Sequence, residues 1–433
     1  MRPAWSKRMT DRPLDSRNRP VVVVTGMGVL TSLGQGKDEN WRKLVAGVSG
    51  IHRISRFSIA GMRTTIAGTV DFVPLEEPSA PALTETLAAL AAEEALAESG
   101  IGAPGDFPGP LMLAMPPVEM EWPQRLAAAG AAEAGNTPVT WMDLVRAASD
   151  GRFSSWSERF LFGSVSEHLA ERFGTKGSPI ATSTACSSGA TAIQLGVEAI
   201  RRGEGEAALV IGTDASVNPE SLIRFSLLSA LSTRNDPPQS AARPFSRDRD
   251  GFVMAEGAGA LVLESLAHAR ARGAEILGVV EGCGEMADGF HRTRSSPDGK
   301  PIIACMRHAL EDAGLSPDAI GYVNAHGTGT PENDKMEWLG LSAVFGERAG
   351  TLPVSSNKSM IGHTLSAAGA VEAIFTLLSL RHGVLPPTIN YEMPDPALPI
   401  DCVPNVAREL RVTHAISNSF GFGGQNACLV LGI

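Results

Sequence analysis

The sequence predicts an α/β protein of mixed sheets covered by helices on both faces, and three observations predict it. Apolar runs of strand length alternate along the chain with segments of helical periodicity. The run PVVVVTGMGVL (Pro20–Leu30) ends in Gly-x-Gly, and AEILGVVEGCGEM (Ala274–Met286) repeats that plan near the middle. The closing strands also echo one another: AEGAGALVLE (Ala255–Glu264) ends the first part and FGGQNACLVLGI (Phe422–Ile433) ends the chain. Two α/β halves from an internal duplication follow.

In chain order, residues 1–19 are polar and basic without the apolar core of a secretory signal, and are read as a disordered extension. An N-terminal half, 20–270, and a C-terminal half, 271–433, come next. PALTETLAALAAEEALAESG has helical spacing and stops at Gly100, a C-cap. Residues 105–155 are rich in Pro, Met and Trp with little strand regularity, and are read as an inserted excursion. EAALVIGTDASV and AIGYVNAHGTGTP read as buried strands running into loops, whereas NDKMEWLGLSAVFG and SAAGAVEAIFTLLSLRHG read as helices with glycine stops.

Composition narrows the function classes. The 433 residues are 43% hydrophobic and 19% charged, as in an ordinary folded protein rather than a disordered one. A net charge of −10 argues against nucleic acid as a partner but leaves room for a local basic patch that docks an acidic protein. No apolar run is long enough to span a bilayer. Five scattered cysteines without a CxxC pair favour a reduced, cytoplasmic protein.

Four motifs carry chemistry. In IATSTACSSGATAIQLGVEAIRRGE, Cys186 sits where a strand meets a buried helix, at a nucleophile-type turn where the helix dipole would favour a thiolate. Alone, this cysteine is balanced between packing and catalysis. In YVNAHGTGTPENDK, His326 ends a strand before a glycine turn, with Thr328 and Thr330 hydroxyls beside it and Asp334 as the cap of the next helix. In VSSNKSMIGHTLSAAGAVEAIF, Lys358 and Glu372 flank His363, and a nearby cation would keep the imidazole neutral. SNSFGFGGQN (Ser417–Asn426) is a glycine-dense turn whose N–H groups suit an oxyanion hole. A zinc reading of one Cys and two His is disfavoured, because no two ligands are closely spaced.

In order and spacing, TACSSG, NAHGTGTP, SSNKSMIGH, RPFSRDRDGFVMAEGAGALVLE, PPTIN and NSFGFGG resemble a β-ketoacyl-acyl carrier protein synthase of the elongating type, in the thiolase superfamily. The resemblance covers nearly all of Pro20–Ile433, and His363 separates the chain from initiating synthases and thiolases. It implies a duplicated thiolase-like fold, two mixed five-stranded sheets with helices in layers (αβαβα), a homodimer, and acyl carrier protein as partner. By the same resemblance Cys186 would carry the acyl group, and His326 and His363 would drive decarboxylation of malonyl-carrier protein. Lys358 and Glu372 would support them. Phe420 would gate the substrates and share the oxyanion hole with Cys186. Thr328, Thr330, Gly421 and Phe422 would bind substrate, with no metal or organic cofactor.

Fatty acid elongation is the leading expectation, with a specialised long-chain pathway included. A ketosynthase of a polyketide or nodulation-factor pathway is the alternative. A non-catalytic chain-length-factor-like partner is opposed by the intact Cys-His-His set. The chain departs from the family at AMPPVEMEWPQ (Ala114–Gln124), where a glycine-rich segment is usual, so Met115, Met120 and Trp122 either reshape the acyl pocket or belong to a relocated surface loop. Ser229 stands where an arginine is usual, leaving Arg63, Arg224 and Arg234 as candidates for a carrier-docking patch.

Overall fold

The computed structural model describes residues 12–74, 79–132, 140–151 and 153–433. Among the described residues the principal sheet has 12 strands; apart from the two-residue edge strands Gly34–Gln35 and Asp401–Cys402, ten build its body. They are β1 (Val22–Thr31), β2 (Leu111–Ala114), β3 (Ile180–Thr182), β4 (Ala207–Asp214), β5 (Gly257–Ser265), β6 (Gly278–Ala287), β7 (Tyr322–Asn324), β8 (Pro353–Ser355), β9 (His414–Phe420) and β10 (Gln425–Gly432). The helices used below are α1 (Ala80–Ser99), α2 (Trp122–Ala132), α3 (Trp141–Ser149), α4 (Ser188–Arg201), α5 (Pro219–Leu227), α6 (Lys300–Ala313), α7 (Pro331–Phe345) and α8 (Ala368–His382).

The strand order is β3-β2-β4-β5-β1 in the first part and β8-β7-β9-β10-β6 in the second. Counted within each part, both read third, second, fourth, fifth, first. The strand senses agree as well: β2 runs parallel to β3 and β4, and β7 parallel to β8 and β9, while the β4-β5-β1 and β9-β10-β6 neighbours are antiparallel. The two sheets are not separate. Val22–Val24 of β1 pair with Gly278–Val280 of β6, so hydrogen bonding runs through one mixed sheet of 12 strands.

Helix α1 covers β1 and β5, and α6 covers β6 and β10, while α4 and α8 lie between the two parts and touch strands of both. This burial explains their composition: α8 buries every residue from Ala368 to Leu380, with Glu372 its one charged residue there. The central helices meet backbone to backbone. A Cβ on Gly189 would lie 2.5 Å from the Ala370 nitrogen, and one on Gly369 would lie 2.3 Å from the Ala190 nitrogen. Caps close the expected helices, with Gly100 and Gly383 both left-handed at their C-caps.

Three expectations change. Residues 1–11 lie outside the described residues, but 12–19 are ordered rather than loose, because Arg19 hydrogen-bonds both Asp15 and Asp312. The excursion over 105–155 contains a core strand: β2 lies between β3 and β4 and is fully buried. Its four residues, LMLA, are too short a run to show periodicity. Asp334 is no cap. Thr330 caps α7 by accepting from the Asn333 N–H, and Asp334 is buried one turn on, accepting from the Phe245 N–H at 2.7 Å. Among the described residues no helix is long and apolar enough to cross a membrane.

Candidate active site

Cys186 lies in a single 3-10 turn, Ala185–Ser187, between β3 and α4. Ala185 is forced to φ 51°, a left-handed backbone that a residue with a Cβ avoids. The duplication shows what this strain belongs to. Leu365, at φ 45°, opens the matching turn Leu365–Ala367 before α8, so Ser366 is the counterpart of Cys186. The Ser366 N–H donates to the buried Asp214 carboxylate. In the Cys186 turn the first i to i+3 bond is made by Ser187, which leaves the Cys186 N–H without a partner in its own turn.

Elements from both parts bring the histidines to the thiol. His326 leaves β7, and Glu337 of α7 holds the turn after it: the carboxylate accepts from the His326 N–H at 2.8 Å, the Gly327 N–H at 2.7 Å and the Asn418 side chain at 3.0 Å. His363 is clamped through its backbone, its N–H donating to the Val253 carbonyl and its carbonyl accepting from the Ala255 N–H. One donor atom each of Cys186, His326 and His363 lie within 4.8 Å of one another, a spacing that a metal ion could bridge. The imidazoles stand edge to face with centroids 5.3 Å apart, and the Phe420 ring packs against His326 at 5.8 Å.

The His363 Nδ1 accepts from the Leu365 N–H at 3.3 Å, which assigns the ring proton to Nε2. That Nε2 is buried without a protein partner. Burial, and secondarily the Lys358 ammonium, hold both imidazoles well below the ordinary histidine range. Lys358 and Glu372 form a hydrogen-bonded ion pair with both side chains buried. Burial pushes Glu372 up to about 7 against the opposing pull of that lysine.

The thiol differs from expectation. Burial pushes Cys186 up to about 11, outweighing the Phe422 backbone N–H and Lys358, which favour the thiolate. The resting group is therefore a thiol, because desolvation exceeds what a short helix-terminal dipole supplies. Cys186, His326, His363, Phe420, Gly421 and Phe422 all line one cavity, and Thr328 and Thr330 line it too. The two threonine hydroxyls share a 2.9 Å hydrogen bond. Gly421 is required here, since a Cβ would lie 2.9 Å from the Thr184 carbonyl oxygen and 3.2 Å from the Cys186 nitrogen.

Other residues escaped the sequence reading. Phe225 and Phe252 line the cavity and pack edge to face at 5.4 Å, and Phe252 also packs on His363. Glu337 had a visible signal, a carboxylate at helical spacing between Asp334 and the apolar Leu341, in the helix just after GTGTP. Of the proposed docking arginines, Arg224 is paired with Glu119 and Arg234 with Asp248, while Arg63 is exposed away from this cavity. Arg294, which no motif singles out, sits on the cavity wall.

Sequence models for the N-terminal and C-terminal domains of β-ketoacyl synthases match residues 19–269 and 277–392. The chain belongs to the β-ketoacyl synthase family. The tetracenomycin polyketide synthase ketoacyl synthase alpha subunit of Streptomyces glaucescens is 37% identical, covering 95% of this chain and 96% of that protein. The 3-oxoacyl-[acyl-carrier-protein] synthase 2 of Coxiella burnetii is 36% identical, covering 95% and 98%. Among solved structures, a type II polyketide synthase acyl-carrier protein in complex with its ketosynthase bound to the hexaketide superposes with a TM-score of 0.82. That pair is 31% identical over 96% of this chain and 99% of the other. A β-ketoacyl synthase from Burkholderia phymatum gives 0.79 at 33% identity, covering 95% and 99%. The thiolase-like fold and the condensing, acyl-transferring character of the family therefore apply to this chain.

Proposed function

We propose that the chain condenses an acyl group held on Cys186 with malonyl-acyl carrier protein, losing CO2 and giving a 3-oxoacyl-carrier protein. The observation that carries this reading is the convergence of one thiol and two neutral imidazoles on a single cavity. In the first half-reaction the Cys186 sulfur attacks the acyl thioester. The carrier's thiolate leaves and takes up the cysteine proton, so a thiol is exchanged for a thiol. The Cys186 and Phe420 N–H groups are the proposed donors to the oxyanion of that tetrahedral intermediate.

In the second half-reaction, N–H donors on His326 and His363 hold the malonyl thioester oxygen as CO2 departs. The enolate carbon then attacks the acyl-Cys186 carbonyl, and the cysteine leaves as thiolate and is reprotonated. Imidazolium would be unnecessary, and the burial that keeps both rings neutral suits donors that are not consumed. A donor on His363 Nε2 is also a poor metal ligand, so the reading asks for no metal there. Lys358 and Glu372 position His363 from behind, and Thr328 and Thr330 offer hydroxyls to the carrier's pantetheine arm.

Carrier-bound substrates are supported by the names of the related synthases and by the carrier complex among the structural neighbours. A second subunit is supported by the apolar surface of α2 and α3, where Trp122, Leu126, Trp141 and Met142 are exposed. Both pathway readings stay in view, because fatty acid and polyketide synthases match equally well. The test is condensation by Cys186→Ala and His363→Ala. Loss of product in the first and of malonyl decarboxylation in the second is expected, and wild-type turnover in either contradicts the assignment.

A further inference from the structure

The two central helices open on matching turns whose side chains differ. Counted from the strained residue, Thr184 matches Thr364, Ser187 and Ser188 match Ala367 and Ala368, and Thr191 matches Val371. Both turns close the same backbone bond, Ser187 N–H to the Thr184 carbonyl at 3.2 Å and Ala367 N–H to the Thr364 carbonyl at 2.9 Å. The second copy makes its turn with alanine and valine at those places, and its buried Thr364 hydroxyl has no partner among the described residues. The hydroxyls around Thr184 are therefore not needed to form the turn.

In the first copy those hydroxyls hold Thr184 at every polar atom. Its N–H donates to the Ser188 hydroxyl at 2.8 Å, and its carbonyl accepts from the Ser187 hydroxyl at 2.7 Å. Its own hydroxyl lies 3.2 Å from that of Thr191, which donates to the Glu285 carboxylate at 2.9 Å. A hydroxyl has one proton, so Thr191 gives its proton to the bond with Glu285 and accepts from Thr184. A directed chain thus runs from the nucleophile turn, through α4, to β6 of the other part.

Thr184 stands between the two proposed oxyanion donors. Cys186 is two residues on, and the Thr184 carbonyl lies so close to Gly421, the neighbour of Phe420, that an added Cβ would come within 2.9 Å of it. Displacing Thr184 moves the Cys186 N–H relative to the Phe420 N–H, and an oxyanion hole depends on donors fixed in advance. Glu285 is not among the residues that line the catalytic cavity, so its part in the site runs through Thr191.

We propose that Glu285 is a positioning residue for acyl transfer, setting the spacing of the oxyanion donors beside Cys186 through Thr191 and Thr184. The proposal rests on Cys186 being the acyl carrier and adds the group that holds its turn in place. His326 and His363 are held by other elements, so Glu285 bears on acylation and leaves decarboxylation alone.

The test compares the unmodified protein with Glu285→Ala, Glu285→Gln and Thr191→Val, the last giving the first copy the residue of the second. Acylation of Cys186 by an octanoyl N-acetylcysteamine thioester is followed by intact-protein mass over a range of thioester concentrations. CO2 release from malonyl-carrier protein is timed on protein already acylated. Glu285→Ala and Thr191→Val are expected to lower the maximal acylation rate about tenfold at unchanged half-saturation, less than the loss of an oxyanion donor outright would cost. CO2 release should keep its rate, and Glu285→Gln, which retains an acceptor oxygen, should acylate nearly as fast as the unmodified protein. Acylation at the unmodified rate in every variant overturns the proposal, as does CO2 release that falls in step with acylation, the mark of a general loss of structure. If the unmodified protein neither acylates Cys186 nor releases CO2, the condensing reading falls and the proposal with it, a result distinct from both.

Discussion

At the residue scale, the site combines a reluctant thiol with two imidazoles held neutral. Iodoacetamide labelling of Cys186 should still be accelerating at about pH 10, since its thiolate forms only near 11. A plateau near pH 8.5, the ordinary cysteine value, would contradict the burial argument. The histidines predict the opposite end of the profile. Condensation from a preformed acyl-enzyme should stay level as pH falls from about 7.5 to about 6, although an ordinary histidine titrates near 6.5. Lys358→Met removes a cation that opposes imidazolium, so the histidine pKa rises and the acid-side loss should move to higher pH. Single-turnover pH profiles of the two proteins measure both. Among these residues the motifs made Cys186, His326, His363, Lys358 and Glu372 legible in the sequence. The protonation of Cys186 was not, because the dipole at a helix start is visible in a sequence and the depth of burial is not.

At the element scale, the site depends on two turns and two central helices. Both turns begin on a strained residue, Ala185 and Leu365, yet only one carries a nucleophile. The strain therefore belongs to the turn that opens each central helix, and the nucleophile sits in only one of the two copies. Glu337 fixes the His326 turn through three donors. Glu337→Ala leaves all three unanswered in a buried place, and a loss on the order of 3 kcal/mol is expected by chemical denaturation. Glu337→Gln keeps acceptor capacity and should lose less. Gly369→Val places a side chain against the Ala190 backbone and should destabilise by about 1–3 kcal/mol or more, read as a lower Tm. The long elements, with their periodicity and glycine stops, could be read from sequence. Strand β2 could not, because four apolar residues among prolines carry no period, and only its neighbours β3 and β4 define it as a core strand.

At the scale of the whole molecule, the repeated strand order explains how catalytic groups from distant segments meet. Cys186 comes from the first part and His326 and His363 from the second, and residues of both parts line the cavity. One apolar core contains Val24, Ile193 and Val210 from the first part with Phe375, Leu429 and Leu431 from the second. Neither part can bury its face alone, so thermal unfolding should follow one cooperative transition by calorimetry and by circular dichroism. Two separated transitions would mean that the parts are independent. The duplication was legible in paired opening and closing strands. The join between β1 and β6 was not, since three residue pairs at strand starts leave no trace in apolar patterning.

The most direct test follows one acyl group through both half-reactions. The protein is loaded with an acyl N-acetylcysteamine thioester, digested and weighed before and after addition of malonyl-carrier protein. The added mass should sit on the peptide containing Cys186, then leave it as CO2 is released and the 3-oxoacyl product appears in equal amount. An acyl group found on another residue, or one that stays on Cys186 while malonyl is decarboxylated, would contradict the mechanism.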